Sequence, residues 1–471
     1  VGGFMAQDHY YLASLADEVW IEPGGLVWLD GFARYRNYYK DGLDKLAVDI
    51  NLFRVGDFKS AMEPYVRNDM SPEAEQANRF LIDGLWQQYL EAVALNRGLP
   101  LEALDTAVND YAGRMEAAGG DAAALAQELG LVDRAMARPE LRDALAQSGA
   151  ADSQHGFRQV QFLDYLKATE PKPSADGQVA VVVAEGNIVA GDGSPDTAGS
   201  AEISRRLRRA AGDDTIKAVV LRIDSPGGDA YASEVIRREV ANLHRSGKPV
   251  VASMGDLAAS GGYWIAMGAE EVWANPATIT GSIGIWGVVP TFQDTLGEIG
   301  VSTDGVGTTP LSGSLRVDRE LGDQARRLIQ SLIEDGYEKF IALVSEARQM
   351  TQDQVREVAR GRVWNGNQAL ERDLVDHAGG LRDAATAAAR RAGLGDDYRL
   401  TWVQPERTAV QKLLTGLVTR ARYSPAGSGA PYTVADTLPA SVRERIAADL
   451  RRVLPARRTP GILAHCVCAA P

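Results

Sequence analysis

Ser260, Lys59 and a handful of glycines have the residue types and settings that acyl transfer requires, although they are far apart in the chain. Ser260 lies in Ala258-Ala259-Ser260-Gly261-Gly262. Small residues around a serine let a substrate backbone come close. A helix beginning there offers unpaired N–H groups and partial positive charge where an oxyanion would develop. Asp224-Ser225-Pro226-Gly227-Gly228 follows the apolar run 218–223, in the crevice beyond strand C-termini where open α/β sheets hold ligands. Backbone amides of Gly227, Gly228 and Gly261 are candidates for an oxyanion hole. A plain strand-to-helix turn would account for either loop by itself, but not for two such loops ending neighbouring strands.

A serine nucleophile needs a base. The histidines are His9, His155, His244, His377 and His465, and none lies between Ser260 and His377, where a Ser-His-Asp triad would place one. His244 sits among arginine and serine on a helix and reads as a solvated side chain. A lysine kept neutral by burial can take the proton instead. Most lysines are solvated surface charges. Lys59 differs in its setting, Gly56-Asp57-Phe58-Lys59-Ser60-Ala61-Met62, with apolar residues on both sides. Ser282, in Thr280-Gly281-Ser282-Ile283-Gly284, could hydrogen-bond the amine.

The elements that must position these groups occur twice. Tyr10-Tyr11-Leu12-Ala13 and Ala16-Asp17-Glu18-Val19-Trp20 recur at a constant offset of 253 as Tyr263-Trp264-Ile265-Ala266 and Ala269-Glu270-Glu271-Val272-Trp273. Leu131-Val132-Asp133 recurs as Leu374-Val375-Asp376 at an offset of 243. A repeat of this length is a duplicated domain, not a solenoid of short units. The copies differ where chemistry is expected. Gln7 stands in the first where the second has Ser260, Leu29 where it has Ser282, and the second has Gly307-Thr308-Thr309-Pro310 in place of the Lys59 loop. We therefore expect a site assembled across two homologous domains, the nucleophile from one and the base from the other.

Along the chain, Val179-Ala180-Val181-Val182-Val183 reads as a buried parallel strand. A helix over 201–211, a strand over 218–223, a helix over 232–245 and a strand over 249–253 follow, the alternation of an α/β fold with right-handed crossovers. In the first copy, Val19-Trp20-Ile21 and residues 26–32 read as two strands around a Pro23-Gly24-Gly25 turn. Ser71 and Pro72 open a long helix, and a further long helix is expected over about 318–349. We expect the C-terminal part of a first domain over 1–149, a linker over 150–178 containing Glu170-Pro171-Lys172-Pro173-Ser174, a second domain over 179–405 and an extension over 406–471.

At 471 residues, two or three domains are expected. Net charge is −13 with the signs interspersed, which leaves no basic stripe for nucleic acid. No window of about 18 apolar residues is present. Val1 stands only nine residues before Tyr10, whereas about 75 strand-rich residues (178–254) precede Tyr263. A C-terminal piece of a longer protein is therefore expected, with any anchor outside it. Cys466 and Cys468, beside His465, read as free thiols of a tail, with a metal cluster or a strained disulfide as alternatives. No cofactor or metal is called for elsewhere.

With these residues in view, four motifs taken in order resemble signal peptide peptidase A, in its long duplicated bacterial form. They are residues 53–64 around Lys59, Asp224-Ser225-Pro226-Gly227-Gly228, the stretch from Ser253-Met254-Gly255 to Gly262-Tyr263-Trp264, and Ala274-Asn275-Pro276 to Gly281-Ser282-Ile283-Gly284. The resemblance spans about Tyr10 to Val403, with a looser echo in the tail. It implies tandem ClpP/crotonase-like domains and a Ser/Lys dyad protease, with Ser260 as nucleophile, Lys59 as general base, Ser282 orienting the lysine, and amides of Gly227 or Gly228 with Gly261 as the oxyanion hole. It further implies a homotetramer anchored near its N-terminus in the bacterial inner membrane, facing the periplasm and degrading signal-peptide remnants. Asp229 departs from the small hydroxyl residue expected there. Two alternatives share the fold. A crotonase-like acyl-CoA enzyme would need a carboxylate at the thioester, and near these loops the acid is Asp229. A non-catalytic membrane-associated scaffold would show decay of Ser260, Lys59 and Ser282.

Overall fold

The computed structural model describes residues 2–152, 156–169, 178–194, 196–404 and 463–465. Its largest sheet runs in the order Val363–Trp364, Ile279–Gly281, Val250–Ala259, Ile216–Ser225, Gln178–Glu185, Arg399–Trp402, with Glu271–Ala274 paired beside Val250–Ala259. The pairings are parallel except for Val363–Trp364. Both faces are covered, so the central strands are apolar at successive positions rather than at alternate ones. Ile203 and Leu207 of Ser200–Gly212 and Ile236 and Val240 of Ala230–Arg245 fill one core. On another core Ala384, Ala385, Ala388 and Ala389 of Leu381–Arg391 lie against Val179, Val181, Val220 and Val251. With only methyl groups between them, helix and sheet pack closely, and a larger side chain at these alanines would overpack.

In the first half, Gly2–Ala6, Trp20–Trp28 and Arg134–Ala135 form a small sheet. The two strands expected around Pro23-Gly24-Gly25 are one. The turn-forming residues are absorbed as an irregularity in which the register slips between Gly2↔Ile21 and Phe4↔Leu26. The helix Pro72–Arg97 starts as its sequence predicts, with the Ser71 hydroxyl accepting from the Ala74 amide at 3.1 Å. The second long helix, Asp323–Arg348, begins later than its pattern indicated, after an irregular stretch.

The residues that recur in the sequence make the same contacts in both halves. Tyr10 Oη donates to the Leu131 carbonyl at 2.6 Å, and Tyr263 Oη to that of Leu374 at 2.7 Å. Asp133 accepts from the Val19 amide and pairs with Arg97, while Asp376 accepts from the Val272 amide and pairs with Arg348.

The halves are joined by the strand Asp49–Val55, which lies antiparallel to Ile285–Thr291 in continuous register from Asp49↔Thr291 to Val55↔Ile285. Buried Asn51 ties the pair further, donating to the Val289 carbonyl at 3.0 Å. This strand delivers Lys59 to the second half.

The stretch read as a linker holds the hairpin of Ala151–Asp152 with Gly156–Phe157 and the helix Phe162–Thr169. Glu170 to Ser174 lie outside the described residues, as do Cys466, Cys468 and the expected extension apart from Leu463–His465. No described helix is long and apolar enough to cross a membrane.

Candidate active site

Strand Val250–Ala259 runs directly into Ser260, and Gly261–Ala266 continues as a helix. Ser260 is fully buried and its backbone has φ 56° and ψ −115°. A non-glycine residue with positive φ is strained, and such strain concentrates at functional sites. Surrounding bonds hold it there. Its amide donates to the Gly281 carbonyl at 2.8 Å and its carbonyl accepts from the Trp264 amide at 2.8 Å. Gly262 is required by close approach, since a Cβ there would stand 2.6 Å from the Ser225 carbonyl oxygen.

Lys59 is brought to this serine. Its Nζ lies 2.9 Å from Ser260 Oγ, 2.9 Å from Ser282 Oγ and 2.8 Å from the Ser282 carbonyl oxygen. The side chain is buried, and burial pushes its ammonium down from the ordinary 10.5 to about 7. A neutral amine has two N–H donors and one lone pair. The Ser282 carbonyl can only accept, so that contact takes one donor, and Ser282 Oγ can take the second. The lone pair then faces the hydroxyl of Ser260. Ser282 also has positive φ, 54°, so both hydroxyl residues that meet the lysine are held in strained backbone.

The lysine loop is anchored from behind. Arg54 donates to the Lys59 carbonyl at 3.3 Å and to Glu63 Oε1 at 3.4 Å. Buried Glu63 in turn accepts from the Ser71 hydroxyl at 2.6 Å, at the start of the long helix.

Gly227 and Gly228 belong to a short strand, Gly227–Asp229, rather than to a turn. Gly228 has φ 157°, and a Cβ on it would stand 2.0 Å from the Ile188 carbonyl oxygen. The Gly227 amide donates to Ser225 Oγ at 3.1 Å, and Ser225 Oγ donates to the Gly186 carbonyl. The amide of Gly261 opens a helix, where the first turn lacks intrahelical acceptors. Asp229 caps the helix Ala230–Arg245, accepting from the Ala232 amide at 2.7 Å. That assigns a structural task to the acid an acyl-CoA chemistry would have used.

Leu463–His465 lies as a strand antiparallel both to Gly227–Asp229, with Gly227↔His465 and Gly228↔Ala464, and to Ile285–Thr291, through Trp286↔Leu463. The space between those two edges is one strand wide and is filled by the chain's own Leu463–His465.

Among the described side chains, His244 pairs with Glu270 at 2.8 Å and His377 stands 3.8 Å from Glu271. Neither is a hydrogen-bond partner of Ser260. Sequence reasoning missed the contribution of Arg360-Gly361-Arg362, which lies against the lysine. A glycine between two arginines carries no local signal of such a role.

Comparison with known proteins identifies the family. The chain matches the model of peptidase family S49 over residues 1–146 and 242–395. It is 40% identical over 423 residues to Protease 4 of Salmonella typhi, covering 90% of this chain and 68% of that protein. It is 38% identical over 413 residues to Protease 4 of Haemophilus influenzae, covering 86% and 67%. With the chloroplastic serine protease SPPA of Arabidopsis thaliana it shares 29% identity over 418 residues, covering 87% and 60%. Among solved structures, a ClpP1 mutant from Listeria monocytogenes aligns with 44% of this chain and 94% of its own at 16% identity and a TM-score of 0.30, too distant a likeness to build on. The chain belongs to peptidase family S49 and is a serine protease.

Proposed function

We propose that Ser260 and Lys59 form a Ser/Lys dyad. The observation that carries this reading is the buried Lys59 amine 2.9 Å from Ser260 Oγ. Lys59 takes the hydroxyl proton as Oγ attacks a peptide carbonyl carbon. The amide of Gly227 or Gly228, with that of Gly261, stabilises the oxyanion; the Gly227 amide also donates to Ser225 Oγ. The C–N bond breaks as Lys59 returns the proton to the leaving amine. Water, deprotonated by the same lysine, then releases the acyl group and restores Ser260. Ser282 orients the amine through its hydroxyl and carbonyl.

The substrates are extended hydrophobic peptides, in the first place the remnants of cleaved signal peptides at the bacterial inner membrane on its periplasmic side. The two edges already take Leu463–His465 as an added strand; a peptide that displaces this segment is held in the same way, by main-chain hydrogen bonds that give affinity while side chains matter less. The resemblance of the four motifs supports the choice of signal peptides.

The chain is a tandem of two ClpP/crotonase-like domains, a reading supported by the matched Tyr–Leu and Asp–Arg contacts and by the family's match to two separate stretches. The same duplication supports a homotetramer. The offset of 253 carries the helix Lys40–Lys45 onto Gln293–Glu298, and residues 32–38 onto Ile285–Thr291. Within the chain, Asp49–Val55 pairs with Ile285–Thr291. Their counterparts, 302–308 and 32–38, are outside the described sheets and carry fully exposed Val306 and largely exposed Tyr35. Pairing of these two segments between copies of the chain repeats the internal contact head to tail, and such a contact gives a closed ring when the rotation from copy to copy closes.

Labelling of the protein with a fluorophosphonate probe tests the dyad. Loss of label in both Ser260→Ala and Lys59→Ala is expected. Label that survives Lys59→Ala moves the base elsewhere, and an unlabelled wild type favours a scaffold or an acyl-CoA enzyme.

A further inference from the structure

We propose that Arg360-Gly361-Arg362 is a strap that sets where the Lys59 amine sits relative to Ser260, with Gly361 as its positioning residue. The inference rests on the reading of Lys59 as the base.

The strap is bonded to both loops of the site. On one side the Arg360 carbonyl accepts from the Phe58 amide at 3.0 Å, and Arg360 pairs with Asp57. The Arg362 guanidinium lies 3.8 Å above the centre of the Phe58 ring, a cation–π contact. On the other side the Gly361 amide donates to the Ile283 carbonyl at 2.8 Å, and the Arg362 carbonyl accepts from the Ser282 amide at 2.7 Å. A single residue, Gly361, thus spans the gap between the backbone that carries Lys59 and the backbone that carries Ser282.

The fit is tight enough to act as a gauge. A Cβ on Gly361 would stand 2.6 Å from Lys59 Cβ and 2.7 Å from its Cα. Beside Gly361 and further along the lysine stem, a Cβ on Gly284 would stand 3.2 Å from Lys59 Cδ and 3.1 Å from Gly361 Cα. Two neighbouring glycines therefore line the aliphatic stem, one at Cβ and the other at Cδ, and Arg360 and Gly361 keep the strap in place with φ of 58° and 82°. Added bulk at either glycine pushes the stem away from this wall, and a misplacement of about 1 Å at a reacting group costs about 100-fold in rate.

The test uses the full chain with Gly361→Ala, Gly284→Ala and Lys59→Ala, and reads kcat, KM, the pH dependence of kcat and the thermal melt. Gly361→Ala adds backbone strain at φ 82° and could fail to fold. Gly284 is outside the left-handed region, so Gly284→Ala probes the channel without that strain. We expect kcat to fall about 100-fold in Gly361→Ala and about 10-fold in Gly284→Ala. KM should stay within twofold, and the acid limb of the kcat profile should move to higher pH as the amine is pushed toward water. The strap is overturned if Gly284→Ala melts like wild type and keeps kcat and the acid limb unchanged, or if its lost rate vanishes once scaled to the folded fraction. If Lys59→Ala still labels at Ser260, the dyad itself has failed. If Lys59→Ala loses the label while Gly284→Ala keeps full kcat, only the strap has.

Discussion

Replacing Lys59 by methionine should make the protein more stable at neutral pH and less stable in alkali. The unfolded lysine holds its proton up to about 10.5, whereas burial makes the folded protein release it near 7. Between those values the unfolded chain binds more protons, so wild-type stability rises with pH. Below pH 7 the folded state carries the whole penalty, about 5 kcal/mol at 1.36 kcal/mol per pH unit. By pH 9 about 2 kcal/mol of it remains, and at pH 10.5 almost none. Methionine fills similar volume but forfeits the hydrogen bonds that Nζ makes to Ser282, worth about 1 kcal/mol each. Lys59→Met should therefore exceed its parent by about 2–3 kcal/mol at pH 7, draw level near pH 9 and fall below it at pH 10. The comparison is made by urea unfolding from pH 6 to 10 in the Ser260→Ala background, where self-digestion cannot distort the curves, and other titrating groups cancel in the difference. Parallel stability curves that never cross would refute a lysine held neutral by burial, and with it the account of how the base is activated.

Other outcomes follow from the same contacts. Ser282→Ala removes one of the three oxygens around Nζ but keeps the carbonyl, so kcat should fall about 10-fold with KM little changed, the equivalent of about 1.4 kcal/mol. Arg97→Met and Arg348→Met break equivalent, largely buried ion pairs, and each should lower stability by about 2–3 kcal/mol in urea unfolding. Burial alone would raise the Asp376 carboxyl, but Arg348 outweighs it and holds the group below its usual range; the stabilisation is present at neutral pH and is lost as pH falls through that lowered value. The lead of wild type over Arg348→Met should therefore shrink in acid. Val306→Asp places a charge on a fully exposed apolar residue of the segment proposed for the contact between copies, and should reduce the mass seen by light scattering while leaving the circular dichroism of the folded chain unchanged.

Much of the fold was legible because its signals are local. A strand buried on both faces has to be apolar throughout, as Val179–Val183 is, and a helix that starts at Ser71-Pro72 announces itself by its cap. Pro23-Gly24-Gly25 misled for the converse reason, since turn-forming residues can also sit in an irregular strand when a neighbouring edge continues past them. The site was legible through difference. Ser260, Ser282 and Lys59 stood out because the other copy lacks them, although no spacing rule links residues 201 positions apart. Gly361 could not be found this way. Its importance lies in the 2.6 Å gap to Lys59, a property of the folded arrangement with no pattern in its flanking residues. Nor could the engagement of the Gly227 amide by Ser225 be read from Ser225-Pro226-Gly227, because the hydroxyl's orientation depends on the Gly186 carbonyl from another strand.

The distance along the chain between Lys59 and the groups that surround it also sets when the site can exist. On a ribosome adding about 5–20 residues per second, the roughly 300 residues from Lys59 to Arg362 take about 15–60 s to emerge. For most of that interval the lysine strand has no Ile285–Thr291 edge to pair with, and until its end the strap that lines the lysine stem is missing. The nascent chain thus carries an ordinary, protonated lysine, and Ser260 lacks the base proposed for it. With the proposed dyad, hydrolysis becomes possible only when distant parts of the polypeptide have met, so the act of folding itself keeps the growing protease from attacking its own unfinished chain.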